Sequence, residues 1–531
     1  MSPTPRVLEE TDQQKRHCWE CRRRYLVCDS SKPTCARCSA SGVVCPGYGP
    51  VKPTQLRWLA PGRVAFRRRK KKEPQNQSGE EGREVTEPSL PPPVPPPTDA
   101  VTVQCDDMNI DLGALLPQAA NYFNAAIYHD IVPVRQLYSG GNPHIYLITP
   151  SIVKKGLTQP KYIQLGTVCM TLSHRMNRTR SADLAERFYL LRGAAIRALR
   201  EHLERVDHHL IADATITGIV TLLLADIQQN ASLNWRIHIE GASKIIQLRG
   251  GYAALAAMPH MSPQIHCLYY TAVNGNTTCP ASQLTMTRAH LNMFNVLFQQ
   301  AECYYTSPFQ MCPPALFAEI VKINHLRKRA LETANAANTP PAEVNGNTKA
   351  ASKNHTEEAY QLLASINLFS PEQWAEPKPS HQRDWALIGD IHRSAVALYC
   401  ISSLQSLSVL PESNILLDSQ LATHVSRLRT MLAGGLASPR VKRFTLWPLV
   451  VLGVVEAGGA DSGSEAARTF VAEQLDALSR GLGTYGPLTA KRVLERFWAK
   501  GGRGGWDECF AERPYVFTAQ VAVDSIGVEG G

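Results

Sequence analysis

Between residues 188 and 203, apolar side chains return every three or four positions as Phe188, Leu191, Ala195, Leu199 and Leu203, with Arg192, Arg200, Glu201 and Glu204 between them. That period is the mark of an amphipathic helix. Ile216, Val220, Leu223 and Ile227 predict a second helix, and Ile237, Gly241, Ile245 and Leu248 a third. The third runs into Arg249-Gly250-Gly251, and glycine just past a periodic run is a helix stop. Two-residue alternation is scarce from about Leu112 onward, so residues 112–531 are expected to form one all-α domain. Residues 338–355 are polar and contain two prolines, which predicts a long surface loop.

Upstream of Leu112 the pattern changes in kind. Residues 73–111 are rich in Gln, Gly, Glu, Ser and Pro and include PSLPPPVPPPTD, a composition unable to bury a core. An extended, polyproline-like linker is expected there. Residues 1–14 are expected to be a disordered arm, and residues 15–48 and 49–72 a compact module with a basic flank. The longest apolar run, Leu446 to Val455, is interrupted by Pro448 and Gly453 and too short to span a bilayer, so no membrane partner is expected.

Charge sharpens this division. The chain of 531 residues carries a net charge of +10, yet residues 1–72 hold 17 Lys and Arg against five acids. The surplus of 12 in that segment leaves the remainder near −2. Positive charge concentrated in one short segment is the footprint of a nucleic-acid partner.

The same segment holds the densest chemistry. Cys18, Cys21, Cys28, Cys35, Cys38 and Cys45 fall as C-x2-C-x6-C, six residues, then C-x2-C-x6-C again. Disulfides and metal are the two explanations for such a frame. Met1 to Arg16 is polar and charged with no apolar signal segment, which points to a reducing compartment and hence to metal, with zinc the default for thiolates. Six ligands are wrong for one tetrahedral ion. Two such ions need eight positions, which six thiolates fill when two of them bridge.

These spacings, the Arg run after the second cysteine and the Lys-Pro before the fourth resemble the fungal Zn2Cys6 binuclear cluster. The resemblance implies two zinc ions per chain, with Cys18 and Cys35 as bridges: one ion on Cys18, Cys21, Cys28 and Cys35, the other on Cys18, Cys35, Cys38 and Cys45. It also implies a nuclear, sequence-specific regulator of RNA polymerase II genes that binds double-stranded DNA at a CGG-like triplet. Such regulators act through the transcription machinery or co-regulators, often on metabolic or secondary-metabolite pathways. The first half carries Arg22, Arg23, Arg24 and Tyr25, the second only Arg37, so the first helix is the expected DNA-facing one. Arg24 keeps the family pattern and is the expected base reader, since a guanidinium fork pairs with guanine O6 and N7. Arg22, Arg23 and Arg37 are assigned to phosphates. Tyr25 departs from the pattern, as does Val27, and stands as either a single base contact or a packing residue. A zinc-stabilised adaptor or corepressor without its own sequence readout is the alternative. If roughly five phosphates are neutralised, log affinity should fall against log salt with a slope of about −4 to −5.

Arg67, Arg68, Arg69, Lys70, Lys71 and Lys72 form a compact basic run, expected to serve nuclear import or a further phosphate contact. No heptad repeat follows the cluster, which leaves the oligomeric state open. NWRIHIEGASKIIQLRGG (Asn234 to Gly251), LWPLVVLGVVEAG (Leu446 to Gly458), and Phe497-Trp498 followed by Trp506 resemble the fungal-specific transcription factor domain of the acriflavine-sensitivity-control type. That resemblance implies a helical regulatory domain, not a chemistry. Fragments of catalytic motifs exist, but each lacks its context: His238-Ile239-Glu240 has no P-C-x-x-C partner, His208 and His209 have no HExxH setting, and no G-x-S-x-G elbow occurs. No enzyme is predicted. The remaining eight cysteines are scattered singly, as buried thiols are.

Overall fold

The computed structural model describes Cys18, Cys21, residues 28–41, Cys45, and residues 110–137, 145–205, 213–229, 235–258, 260–298, 312–337, 347–457 and 462–518. The chain divides into two compact units, Met1–Val103 and Gln104–Gly531. The arm 1–14, the Arg22 to Tyr25 run, the basic run 67–72 and nearly all of the linker 73–111 lie outside the described residues.

In the first unit one helix, Ala36–Ala40, is described, and it starts at a cysteine: the Cys35 side chain accepts a hydrogen bond from the Cys38 N–H and caps the helix. The second unit is built of helices, with no strand among its described residues. It opens where the linker was expected to end. Asp111 caps the helix Leu112–Tyr122 by accepting from the Ala114 N–H at 3.1 Å.

Two long helices carry the middle of this body. In Asp213–Gln229 every residue from Thr215 to Ile227 is buried, so the helix is enclosed on all sides. It crosses Lys161–Thr179 at a place where both chains are small: a Cβ on Gly218 would lie 2.5 Å from the Tyr162 ring, and one on Gly166 would lie 2.9 Å from the Thr221 methyl. The glycines are what allow the two backbones to approach. Further along, Gln382–Gln405 is buried over most of its length from Trp385 to Leu404, and Leu446–Val455 is buried from Leu446 to Val454. The longest apolar run is therefore a core helix, with Pro448 in its first turn where no backbone donor is needed. No described helix is long and apolar enough to cross a membrane. One continuous apolar core joins these elements, from Leu116 to Phe517.

Residues 505–518 return into that core. The Trp506 indole donates to the Thr277 carbonyl at 2.8 Å, the Tyr515 N–H to the Thr278 carbonyl at 3.1 Å, and the Thr278 hydroxyl back to the Tyr515 carbonyl at 2.8 Å. Arg327, fully buried, ties the same region together. Its Nη1 donates to the Asn276 carbonyl at 3.2 Å and the Tyr399 hydroxyl at 2.9 Å, and its Nη2 to the Cys279 carbonyl at 2.9 Å and Asp507 at 2.7 Å.

Phe188, Leu191, Ala195 and Leu199 form the buried face of Ala182–Arg205, as their spacing requires. Asp213–Gln229 also buries its predicted residues, and Gly250 and Gly251 adopt φ of 94° and 90°, where a side chain would be strained.

Two expectations are corrected. The third helix, Trp235–Leu248, buries Trp235, Ile239, Ala242, Ile245 and Ile246, while Ile237 and Leu248 are 67% and 64% exposed. A second apolar stripe ran along the same helix, and the large indole of Trp235 decided which one faced inward: it packs where Gly275 leaves no Cβ. The loop expected over residues 338–355 is helical from Asn347 onward, in Asn347–Leu368. Ala359, Leu362, Leu363 and Ile366 anchor that helix in the core, and helix-forming Ala, Lys and Glu carry it back through the polar residues. Residues 338–346 lie outside the described residues.

Candidate metal centre and nucleic-acid interface

Six cysteine sulfurs converge in the first unit. Sγ of Cys18 lies 3.6 Å from that of Cys35 and 3.7 Å from that of Cys38, and Sγ of Cys21 lies 3.6 Å from that of Cys35. The sulfurs form two sets of four, Cys18, Cys21, Cys28 and Cys35, and Cys18, Cys35, Cys38 and Cys45, each within 4.8 Å. Cys18 and Cys35 are common to both. A tetrahedron of thiolates at a zinc–sulfur distance of about 2.3 Å has edges of about 3.8 Å, so these separations fit zinc. Five of the six are buried and Cys45 partly so.

The backbone prepares the sulfurs for charge. N–H groups of Cys18, Cys21 and Cys38 point at the sulfurs of Cys28, Cys18 and Cys35, each at 3.4 Å. Burial, with hydrogen bonds among the thiols, pushes the Cys18 and Cys21 thiols up and Cys38 to about 12. Without a cation these groups keep their protons; a dication supplies the charge that makes thiolates of them. Asp29, which the sequence pattern did not single out, accepts from the Ala36 N–H at 3.2 Å and holds the approach to the second helix. The Lys32–Pro33 peptide in that approach is cis.

Among the predicted DNA contacts, Arg37 is described. It is exposed, in the last turn of Ala36–Ala40. Arg22, Arg23, Arg24 and Tyr25, and Arg67 to Lys72, lie outside the described residues.

Of the other motif fragments, His238 is described, while His208 and His209 lie outside the described residues. His238 Nε2–H donates to Asp226 at 3.0 Å, and Arg192 donates to both oxygens of the same carboxylate at 2.5 and 2.7 Å. Burial would raise the Asp226 carboxyl, but Arg192 and His238 together hold it below the ordinary value. The group is an internal ion cluster, and Arg192 belongs to it rather than to a solvated face. Cys169, Cys267, Cys279, Cys312, Cys400 and Cys509 are all buried. Asn177 and Asn276, which begin formal glycosylation sequons, spend their amides inside the fold on Gly483 and Thr285 carbonyls.

Comparison with known proteins covers both units. The fungal Zn(2)-Cys(6) binuclear cluster domain matches residues 16–54, and the fungal specific transcription factor domain matches residues 119–518. The chain is 41% identical over 525 residues to the phomenoic acid biosynthesis cluster-specific transcriptional regulator of Leptosphaeria maculans, an alignment spanning 98% of this chain and 92% of that protein. No solved structure matches.

Proposed function

Since the chain belongs to the fungal transcription factors that join a Zn2Cys6 cluster to a fungal specific transcription factor domain, and so is a zinc-dependent DNA-binding regulator rather than an enzyme, we propose that it controls one biosynthetic gene cluster from the nucleus. The observation that carries the pathway assignment is the 41% identity, over nearly the full length of both chains, to a regulator named for a single biosynthetic cluster.

In this reading Cys18 and Cys35 bridge the two ions, which the sharing of those two residues between the sulfur sets supports. Their coordination fixes the turn that begins at Cys18 and presents Arg22 to Tyr25 to the major groove. Arg24 reads a guanine of a CGG-like triplet. Arg22, Arg23 and Arg37 bind phosphates, and the exposure of Arg37 supports that role. Arg67 to Lys72 direct nuclear import. The helical body sets output through co-regulators.

Genome-wide occupancy of the intact protein, compared with Arg24→Ala, tests the whole chain of reasoning. Occupied sites should concentrate in the promoters of one contiguous gene set and share a short G-rich motif. Loss of a bidentate guanine contact costs about 1–3 kcal/mol, so the variant should lose roughly 5- to 150-fold in affinity for that motif. Occupancy without an enriched motif would defeat the readout, and dispersal of sites over unlinked genes would defeat the pathway assignment.

A further inference from the structure

A small cavity lies in the helical body where Ser262–Thr277, Pro314–Ala337, Gln382–Gln405, the turn Lys442–Phe444 and Leu446–Val455 meet the returning residues Phe517 and Thr518. Its volume is about 20 Å³, against the roughly 10–15 Å³ that one water molecule needs, which leaves room for a hydroxyl and one or two carbons. The rings of Tyr270, Phe317, Phe444, Trp447 and Phe517 wall it, with Ile320 beside them. The Trp447 indole donates its N–H to the Thr277 hydroxyl at 2.9 Å and so brings the cavity an apolar ring, not a donor.

Two polar side chains line the same space, and each keeps one atom without a partner among the described residues. His392 is 3% exposed, and its Nδ1–H donates to the Ile388 carbonyl at 2.9 Å. That bond fixes the tautomer and leaves the lone pair of Nε2 uncommitted. Burial brings the ring down to about 4, so it is neutral at physiological pH and Nε2 acts as an acceptor. Asn274 is 9% exposed; its Nδ2 donates to the Tyr270 carbonyl at 3.0 Å, and its Oδ1 accepts from no described group. Neither Nε2 nor Oδ1 belongs to the unpartnered atoms sealed off inside the fold, so the cavity that both residues line is the space they face.

No Asp, Glu, Lys or Arg lines the cavity among the described residues. An ion would enter it unpaired, at a large cost in lost hydration. A neutral molecule that carries a hydrogen-bond donor satisfies an open acceptor without that cost. We propose that this cavity is a binding site for a small neutral alcohol, whose hydroxyl donates to His392 Nε2 and whose carbons lie against the aromatic wall. A ligand there touches helices far apart in sequence at once, together with the segment that closes the chain onto the core. The proposal concerns the body alone and holds whatever DNA sequence the first unit reads.

The test uses the full-length zinc-loaded chain with ¹³C-labelled isoleucine δ1 methyl groups, and ethanol as the probe. Acetonitrile, of similar size but without a donor, is the matched control. The Ile320 methyl signal, assigned with Ile320→Val, reports the cavity, and that of Ile237, 67% exposed, reports the solvent. Ethanol should shift Ile320 to saturation while Ile237 drifts linearly, and acetonitrile should not saturate Ile320. His392→Phe keeps a ring in place and loses the acceptor, so it should need about fivefold more ethanol for the same shift. The comparison of the two probes on the wild type decides the proposal even where that variant does not fold. Equal saturation by ethanol and acetonitrile, or no saturation by ethanol, would overturn it. Tighter saturation by methylammonium chloride would overturn it in favour of a cation.

Discussion

The cysteine unit and the helical body reach stability by opposite means. Among the described residues of the first, the buried cluster consists of cysteines alone: Cys18, Cys21, Cys28, Cys35 and Cys38 around one another, with Cys45 against them. The second buries a continuous apolar core from Leu116 to Phe517. One is held by coordination bonds that vanish with the ion, the other by area removed from water. The two should therefore fail under different stresses, and each can be broken while the other stands.

The largest separation should come from Cys35→Ser, which takes a shared ligand from both sulfur sets. Structural zinc contributes roughly 10–16 kcal/mol to small modules, far above the stability of any such unit without it. Zinc content should fall and DNA binding vanish, while the far-ultraviolet circular dichroism and the Tm of the body stay at wild-type values. A body that melted early in this variant would show the units to be interdependent.

Acid should strike the body next. Burial holds His174 down to about 3 and His290, His392 and His424 to about 4, so the folded state keeps them neutral where the unfolded chain, near 6.5, binds protons. Their contribution is full above pH 6.5 and drains away as pH falls toward 4. Each costs about 1.4 kcal/mol per pH unit in that window, and unfolding at pH 5 should take up about four protons from these groups. Denaturant titrations at a series of pH values measure the slope directly; a flat profile between pH 5 and 6.5 would contradict the burial of these rings.

Arg327→Met should cost the body about 3–5 kcal/mol, since it leaves the Asp507 carboxylate and the Asn276 and Cys279 carbonyls without their donor. Thermal melting reads this, and zinc content should not change. Ile237→Ser should do least, within about 0.5 kcal/mol, because the side chain is 67% exposed. A cost of more than ~1 kcal/mol there would restore the sequence-based assignment of that helix face.

The contrast also explains what could be read from the sequence. Coordination fixes ligand spacing, so the six cysteines announce themselves, while their division into two sets was implied by the resemblance to the Zn2Cys6 cluster. Helices such as Ala182–Arg205, with a single apolar stripe, were equally legible. Trp235–Leu248 was not, because it carries two stripes and the choice between them belongs to the neighbour that Trp235 meets. Asn347–Leu368 was half hidden because its first turns are polar and take their shape from the anchored half behind them. Arg327 was invisible. Arginine reads as surface in any pattern, and only tertiary contacts reveal one that is buried with four partners.

The return of residues 505–518 to the core has a meaning in the language of alleles. A nonsense codon at Trp506 spares the whole of the cluster domain, residues 16–54, and by position alone would pass for a mild truncation. It removes the indole on Thr277, the carboxylate on Arg327 and the backbone pair on Thr278 at once. A body opened in this way is a substrate for the cell's proteases, so the expected phenotype is that of a deleted gene, read as loss of the protein on an immunoblot while its transcript is still made.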